Sequence, residues 1–360
     1  MSALLGEKIT VGMSGGVDSA VAAFLLKEQG YDVTGVFMNN WDEKDEAGCC
    51  TAESDWRDVR DVCADIGIPC YAVNFAAEYK ERVFKHFLSE YRLGRTPNPD
   101  VLCNREVKFD VFMQFALKTG ASRIATGHFA LTNTRGELHK GVDPDKEQSY
   151  FLYMLKSGQL QKTLFPVGHL MKREVRRIAR EKGLSVSDKR DSTGVCFIGE
   201  RSFKPFLRQF LPETQGDIVT QNGQVVGRHD GVIFYTLGQR KGLGIGGAGD
   251  GGRWFVIGKD TVHNRLLVAQ GEDHAALYAT RAEGSGLTWV GEPPAVNTFT
   301  CAVKFRYRQQ DCQARVDISG SKLLVTTQES QRALTPGQSI VLYEGSRCLG
   351  GAVLDKSYTE

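Results

Sequence analysis

Two kinds of chemistry-bearing residue stand out along the 360-residue chain: a glycine–serine cluster near its start and two cysteines in polar surroundings. The cluster is Ser14-Gly15-Gly16-Val17-Asp18-Ser19, directly after the apolar run "KITVGM". Gly15 and Gly16 let backbone N–H groups approach phosphate oxygens with no Cβ in the way. Ser14 and Ser19 add hydroxyl donors. Apolar spacing predicts a helix over Ser19 to Gln29, stopped at Gly30, whose partial positive end would face an anion. Asp18 would repel a bare phosphate, so its role is either to hold Mg²⁺ or to fix the loop. The cluster is not G-x-x-x-x-G-K-[ST], so hydrolysis of ATP to ADP is not implied. Nor is it G-x-G-x-x-G with an acidic residue about 20 positions on. Taken alone, a tight strand-to-helix turn explains the same residues.

The two cysteines are Cys103, in "GRTPNPDVLCNREVKF", and Cys196, in "KRDSTGVCFIGER". Cys103 is expected just before a helix whose first turn holds Asn104, Arg105 and Glu106. That setting lowers a thiol pKa. Pro97 and Pro99 stiffen the approach, and Asp100 stands three residues ahead, within reach for acid–base work. Cys196 follows Lys189 and Arg190, which also favours thiolate. A buried thiol is the plain alternative for each. The chain has nine cysteines and no C-x-x-C pair. The odd number argues against a disulfide scaffold, and the absent ligand pairs argue against a protein zinc site, so no metal ligands are assigned.

Strand and helix patterns alternate from "KITVGM" to "RIATGH", with "DVTGVFM" and "PCYAVNF" as further strands. Such alternation predicts a parallel sheet with helices on both faces. Ligands on such sheets bind at the carboxyl ends of the strands, which here places the loops after Met13, Met38 and Thr126 together. Between Lys146 and Phe210 the pattern is helical, and Lys172 to Lys182 carries six basic and two acidic residues. From about Gly216, short runs such as "DIVT", "QVVGRH", "VIFYTLG", "RWFVIGKD" and "RLLVAQG" predict a small β domain, and later strands a β-barrel. The expected division is 1–205 for the α/β domain, 206–275 for the β-rich central domain and 276–360 for the barrel.

"SGGVDS" after a first strand resembles the PP-loop of the N-type ATP pyrophosphatases, which split ATP between its α and β phosphates. With "FMNNWD", "GRTPNPDVLCN", "ATGHF", "EQSYFLY", "DSTGVCFIGER", "YTLGQRKGLGIGG", "KFRYRQ" and "TPGQS", in order over nearly the whole chain, the sequence resembles the tRNA-specific 2-thiouridylases. The resemblance implies an adenine-nucleotide alpha-hydrolase-like fold. It implies that ATP, with Mg²⁺, is held by Gly12, Met13, Ser14, Gly15, Gly16, Val17, Asp18 and Ser19, with Met38 near the adenine and Gly127 near the nucleotide. It implies adenylation of the C2 oxygen of a wobble uridine and a persulfide on Cys196. Cys103 then either resolves it, leaving a Cys103–Cys196 disulfide, or first liberates hydrosulfide. Asn98, Pro99 and Asp100 are implied at the target base. Contacts to tRNA are implied for His128, Lys146, Glu147, Gln148, Arg306, Tyr307 and Gln338, with Lys304 and Arg308 adding charge. The partners implied are tRNA and a sulfur donor, either a cysteine desulfurase or a relay protein.

Lys and Arg number 45 against 43 Asp and Glu, so any nucleic-acid surface must come from local clustering, such as the arginines of "KREVRRIAREKG". No apolar run reaches the roughly 20 residues of a membrane span, and "MSALLGEKIT" lacks the features of a secretory signal, so a cytoplasmic protein is expected. Two other readings fit parts of the sequence. One is a PP-loop ligase adenylating a small molecule. The other is an RNA-binding protein with an idle nucleotide loop.

Overall fold

The computed structural model describes residues 6–41, 51–191, 203–212, 214–245 and 251–358. Strands β1 (Lys8–Met13), β2 (Asp32–Asn39), β3 (Cys70–Asn74) and β4 (Arg123–Thr126), with a short strand at Thr163–Leu164, form a parallel sheet. Its order is β3-β2-β1-β4 followed by the short strand. The chain grows outward from β1 to β3, then crosses to β4 on the other side of β1. The crevice between the ends of β1 and β4 is therefore the topological switch point, where α/β folds bind ligands. One sheet face packs against Val17, Ala20 and Val21 of helix α1 (Val17–Glu28) and against Val175 and Ala179. The other packs against Phe84, Phe87, Phe109 and Phe112. Both faces are covered, as a parallel sheet requires.

Three expectations shift. Helix α1 starts at Val17, two residues before the predicted Ser19. The helix expected to begin just after Cys103 starts instead at Pro99 and runs on, through a π-helical stretch at Asn104–Val111, to Lys118. "VIFYTLG" holds a 3₁₀ turn at Val232–Phe234 in place of a strand. There Gly231, at φ +144°, lets the Phe234 ring fold back to within 2.6 Å of where a Cβ would stand.

The central β unit pairs its strands in the spatial order Trp254–Asp260, Arg265–Gln270, Gly216–Thr220, Val225–His229 around a core of Ile218, Val256, Leu266 and Val268. The last part is a six-stranded barrel from Tyr278–Trp289 to Arg347–Tyr358, closed by pairing of its first and last strands. Closure removes the edges. The hairpin Ala130–Thr132/Leu138–Lys140 of the α/β part pairs onto the barrel's last strand, with Leu138 opposite Cys348. The barrel is thus joined to the α/β part through backbone ladders as well as side chains. No helix among the described residues is long and apolar enough to cross a membrane.

Candidate active site

Only Ser14, Gly15 and Gly16 separate the end of β1 from the start of α1 at the switch point. Gly15 has φ +72°, and a Cβ there would stand 2.8 Å from the Asp55 carbonyl oxygen. Conformation and space both demand glycine. No side chain caps α1 at Gly16, so its first-turn N–H groups, which have no helical acceptor, remain available to an anion. The Ser19 hydroxyl donates to Gly16 O at 3.0 Å and accepts from Ser14 N–H at 3.2 Å. The loop is closed on itself while Ser14 stays exposed. A Cβ on Gly127 would lie 2.6 Å from the backbone of Asp18 and Ser19, so the turn after β4 rests on the start of α1. The Met38 methyl stands 3.1 Å from the point a Gly12 Cβ would occupy. The predicted nucleotide residues Gly12 to Ser19, Met38 and Gly127 therefore share one end of the sheet.

The lysine missing from the loop arrives from 154 residues away. Lys172, at the start of the helix Lys172–Glu181, places its ammonium 2.5 Å from Asp18 and 2.9 Å from Asp191. Asp18 is thus fixed in an ion pair. Burial raises its carboxyl pKa, and Lys172 opposes that. Asp191 also takes Lys146 at 2.6 Å and Arg176 at 2.6 Å. Burial works to raise its pKa, but the bonds from Lys146 and Lys172 outweigh it and hold the carboxyl at about 2. Lys189 bridges Asp55 at 2.8 Å and Asp58 at 2.5 Å behind Gly15. Four cations and four carboxylates surround the cradle. Lys172 and Asp191 carry no local sequence signal, since their meaning is set by tertiary contact alone.

The helix beginning at Pro99 has Asn98 as its N-cap, whose side chain accepts from Asp100 N–H at 3.2 Å. Asn-Pro-Asp is a capping signal, with proline at the first helical position. It accounts for the early start. Cys103 consequently lies in the second turn, not at the N-terminus, and Asp100 and Cys103 share a face at i, i+3. The Cys103 thiol is fully buried. Arg105, expected beside that thiol, pairs with Glu106 at 2.6 Å and reaches Met154 Sδ at 3.3 Å. The same helix sets Phe112 against Gly12 of β1, its ring 3.3 Å from the Gly12 Cβ position. Thiol helix and phosphate strand are in direct contact. Cys196 lies outside the described residues.

His128 accepts or donates through Nδ1 to the Thr126 hydroxyl at 2.8 Å, between the rings of Phe109 and Phe165. Burial, helped by the charge of Lys108, holds its pKa well below the usual histidine range, so it offers a neutral ring. Lys146 is tied to Asp191. Glu147 is buried and pairs with Lys304 at 3.2 Å. The Gln148 side chain accepts from Phe129 N–H at 2.9 Å. "KFRYRQ" begins on the barrel strand Thr298–Lys304. The strand ends at Lys304, which points inward, and Arg306 and Tyr307 stand on the following turn. Arg306 is exposed, and the Tyr307 ring lies tilted against Phe151 with centroids 4.6 Å apart. Gln338 donates to Thr96 O at 2.8 Å. Of the basic helix face, Arg176 turns in to Asp191, Arg177 pairs with Glu181 and Arg180 with Asp188. Among the described residues, no His, Cys, Asp or Glu cluster could hold a metal ion.

Three family models match in sequence: a tRNA methyl transferase HUP domain over 7–200, a tRNA methyl transferase PRC-barrel domain over 204–270 and an aminomethyltransferase beta-barrel domain over 281–354. The chain is 55% identical to the tRNA-specific 2-thiouridylase MnmA of Alkaliphilus oremlandii, with 97% of each chain covered. It is 53% identical to that of Enterococcus faecalis, over 98% of this chain and 96% of the relative. Among solved structures, the U34-tRNA thiolase NcsA of Methanococcus maripaludis is 17% identical with a TM-score of 0.37, over 54% of this chain and 63% of that one. That likeness is too loose to bear on the site. With near-full-length identity above one half and all three parts matched in order, the chain belongs to the tRNA-specific 2-thiouridylase family.

Proposed function

We propose that this protein transfers sulfur to C2 of the wobble uridine of tRNA at the expense of ATP, releasing AMP and pyrophosphate. The observation that carries the reading is the contact between its two chemistries. The helix bearing Asp100 and Cys103 packs Phe112 onto Gly12, in the strand that feeds the glycine cradle. A cradle without its own lysine suits a departing pyrophosphate, bound by helix N–H groups and by the cations around Asp18. Mg²⁺ would arrive with ATP and offset its charge.

In the proposed sequence the uridine C2 oxygen attacks the α-phosphorus, and pyrophosphate leaves. The oxygen becomes part of a good leaving group. A persulfide on Cys196 attacks C2 through its terminal sulfur, and AMP departs. The Cys103 thiolate attacks the inner sulfur, the S–S bond to the transferred atom breaks, and thio-uridine is freed. A Cys103–Cys196 disulfide remains, and a two-electron thiol reductant resets it. Release of hydrosulfide by Cys103 before attack on C2 gives the same balance. Asp100, one turn ahead of Cys103, is the acid–base group. Asn98 and Pro99 lie at the flipped base, which costs little to extrude from a single-stranded anticodon loop. His128, Lys146, Glu147, Gln148, Arg306, Tyr307 and Gln338 serve the tRNA. The sulfur comes from a cysteine desulfurase or a relay protein in the cytoplasm. The labour divides at 1–205, 206–275 and 276–360.

The test is thiolation in vitro with ATP, Mg²⁺, a persulfide donor and unmodified tRNA. AMP should accompany thio-uridine one for one, and Cys196→Ser should abolish product while tRNA still binds. Robust product from that variant, or ADP in place of AMP, overturns the reading.

A further inference from the structure

Three consecutive residues just ahead of the Asn98 cap, Gly94, Arg95 and Thr96, are held by all three parts of the molecule. From the barrel, Leu354 O accepts from Arg95 Nη2 at 2.9 Å, and Asp355 pairs with Arg95 Nη1 at 2.9 Å. Pro336 O accepts from Thr96 N–H at 2.8 Å, and the Gln338 amide donates to Thr96 O at 2.8 Å. Gly337, at φ +94°, comes so close that a Cβ would stand 2.9 Å from the Thr96 carbonyl. From the central unit, Lys259 Nζ donates to Gly94 O at 2.9 Å, and the Thr236 and Thr96 hydroxyls are 3.4 Å apart. From the α/β part itself, Glu90 pairs with Arg95 at 2.8 Å. Both backbone polar groups of Thr96 are thus satisfied by the barrel.

Only Pro97 lies between Thr96 and the Asn98 cap, and Pro99 follows it. Each proline fixes its own φ and restricts the residue before it. Little torsional freedom is left to absorb a displacement, so where the barrel holds Thr96, the helix start with Asp100 and Cys103 must follow. We propose that Arg95 is a positioning residue for sulfur transfer: through Asp355 and Leu354 O it sets the Asp100–Cys103 helix start relative to the barrel that presents tRNA. The inference rests on the proposed function for its catalytic readout, and on geometry alone for a second readout.

The experiment compares wild type, Arg95→Gln, Arg95→Lys, Asp355→Asn and the double variant Arg95→Gln/Asp355→Asn in two assays. In thiolation, Arg95→Gln should lower kcat at least tenfold with the KM for tRNA within about threefold of wild type, and Arg95→Lys should recover part of the loss. Asp355→Asn should fall less, and the double variant should be no worse than Arg95→Gln, because the two act through one contact. In the second assay, iodoacetamide labelling of Cys103 read by peptide mass in the protein alone should quicken severalfold in Arg95→Gln, since the buried thiol loses its fixed seat. If wild type makes no thio-uridine, the functional reading fails while the labelling still tests the joint. Wild-type kcat with a wild-type labelling rate in Arg95→Gln overturns the inference. So does a loss confined to the KM for tRNA, which would make Arg95 a tRNA contact. Should Arg95→Gln not fold, Arg95→Lys and Asp355→Asn carry both readouts: each should lower kcat and quicken labelling severalfold with the KM for tRNA held, and wild-type values of both in the two variants overturn the inference.

Discussion

The glycine cradle and the thiol segment do their work by opposite routes. Residues 14–19 are closed on themselves by bonds spanning three to five positions, Ser19 to Gly16 and Ser14 to Ser19, while the Asp18 side chain reaches out to Lys172. Residues 94–98 are shaped by bonds spanning 140 to 259 positions, to Thr236, Lys259, Gln338 and Leu354. A cradle built from local contacts forms whenever its strand and helix form. A segment built from distant contacts has its place only when every part of the molecule is docked. Binding of nucleotide should therefore tolerate disturbance of the barrel, and sulfur transfer should not.

The largest effect that would break this contrast is at Gly127. A Cβ there would strike the backbone of Asp18 and Ser19 at 2.6 Å, and backbone cannot swing aside as a side chain can. Gly127→Ala should abolish measurable ATP binding by calorimetry and destabilise the fold by about 2 kcal/mol. Retained ATP affinity would mean that the cradle yields more readily than its local bonds suggest.

That contrast also explains how much could be read in advance. The parallel sheet, the cradle and the glycine stop at Gly30 follow from periodicity and turn chemistry. Asn98-Pro99-Asp100 is equally legible as an N-cap, but two prolines among polar residues mask the helix start, which lies at Pro99. Cys103 is therefore in the second turn, away from the helix start that would lower its pKa. The inward Lys304 had no such signal. Basic residues near an aromatic look like a surface until Glu147, 157 positions earlier, is seen against the ammonium. Lys172 and Asp191 belong to the same class: ion pairs between distant elements leave no periodic trace.

The next effect in size tests whether the distant lysine is part of the cradle. Lys172→Met leaves Asp18 facing one cation fewer, and because the carboxylate is partly exposed the loss should be about 1–2 kcal/mol, less than for a fully buried pair. The sign with pH follows from Asp18, whose native pKa already stands above its ordinary value. A carboxyl raised in the fold disfavours folding when ionised, so the deficit is full at pH 7 and shrinks as pH falls toward the unfolded carboxyl pKa. Chemical denaturation of wild type and variant at pH 5 and pH 7 measures it. A gap that widens in acid would show that Lys172 stabilises by other means.

A smaller effect sharpens the picture of the thiol segment. Burial lowers Lys259 to about 8, and its ammonium donates to Gly94 O at 2.9 Å. A lysine depressed in the fold disfavours folding while protonated, so its contribution rises as pH climbs from 8 toward the unfolded value near 10.5. Relative to Lys259→Met, wild type should gain stability over that window, by about 1–2 kcal/mol after relaxation and partial hydration. Melting temperatures of the pair at pH 7.5 and pH 9.5 read the difference. An unchanged gap would place the ammonium in water and remove one hold on Gly94.

The smallest effect tests what belongs to neither region. Arg177 and Glu181 pair at 2.8 Å with 62% and 54% of their side chains exposed. An i, i+4 surface pair contributes about 0.3 kcal/mol, so Arg177→Ala should leave the melting temperature within error. Its neighbours Arg176 and Arg180 already face Asp191 and Asp188, which leaves this helix less basic in space than in sequence. If its charge is spent on intramolecular pairs, tRNA affinity and its salt dependence should not move in Arg177→Ala. A salt slope reduced by about one would assign a phosphate to Arg177. The tRNA surface would then extend along the helix that also supplies Lys172, and the cradle would no longer be independent of how tRNA sits.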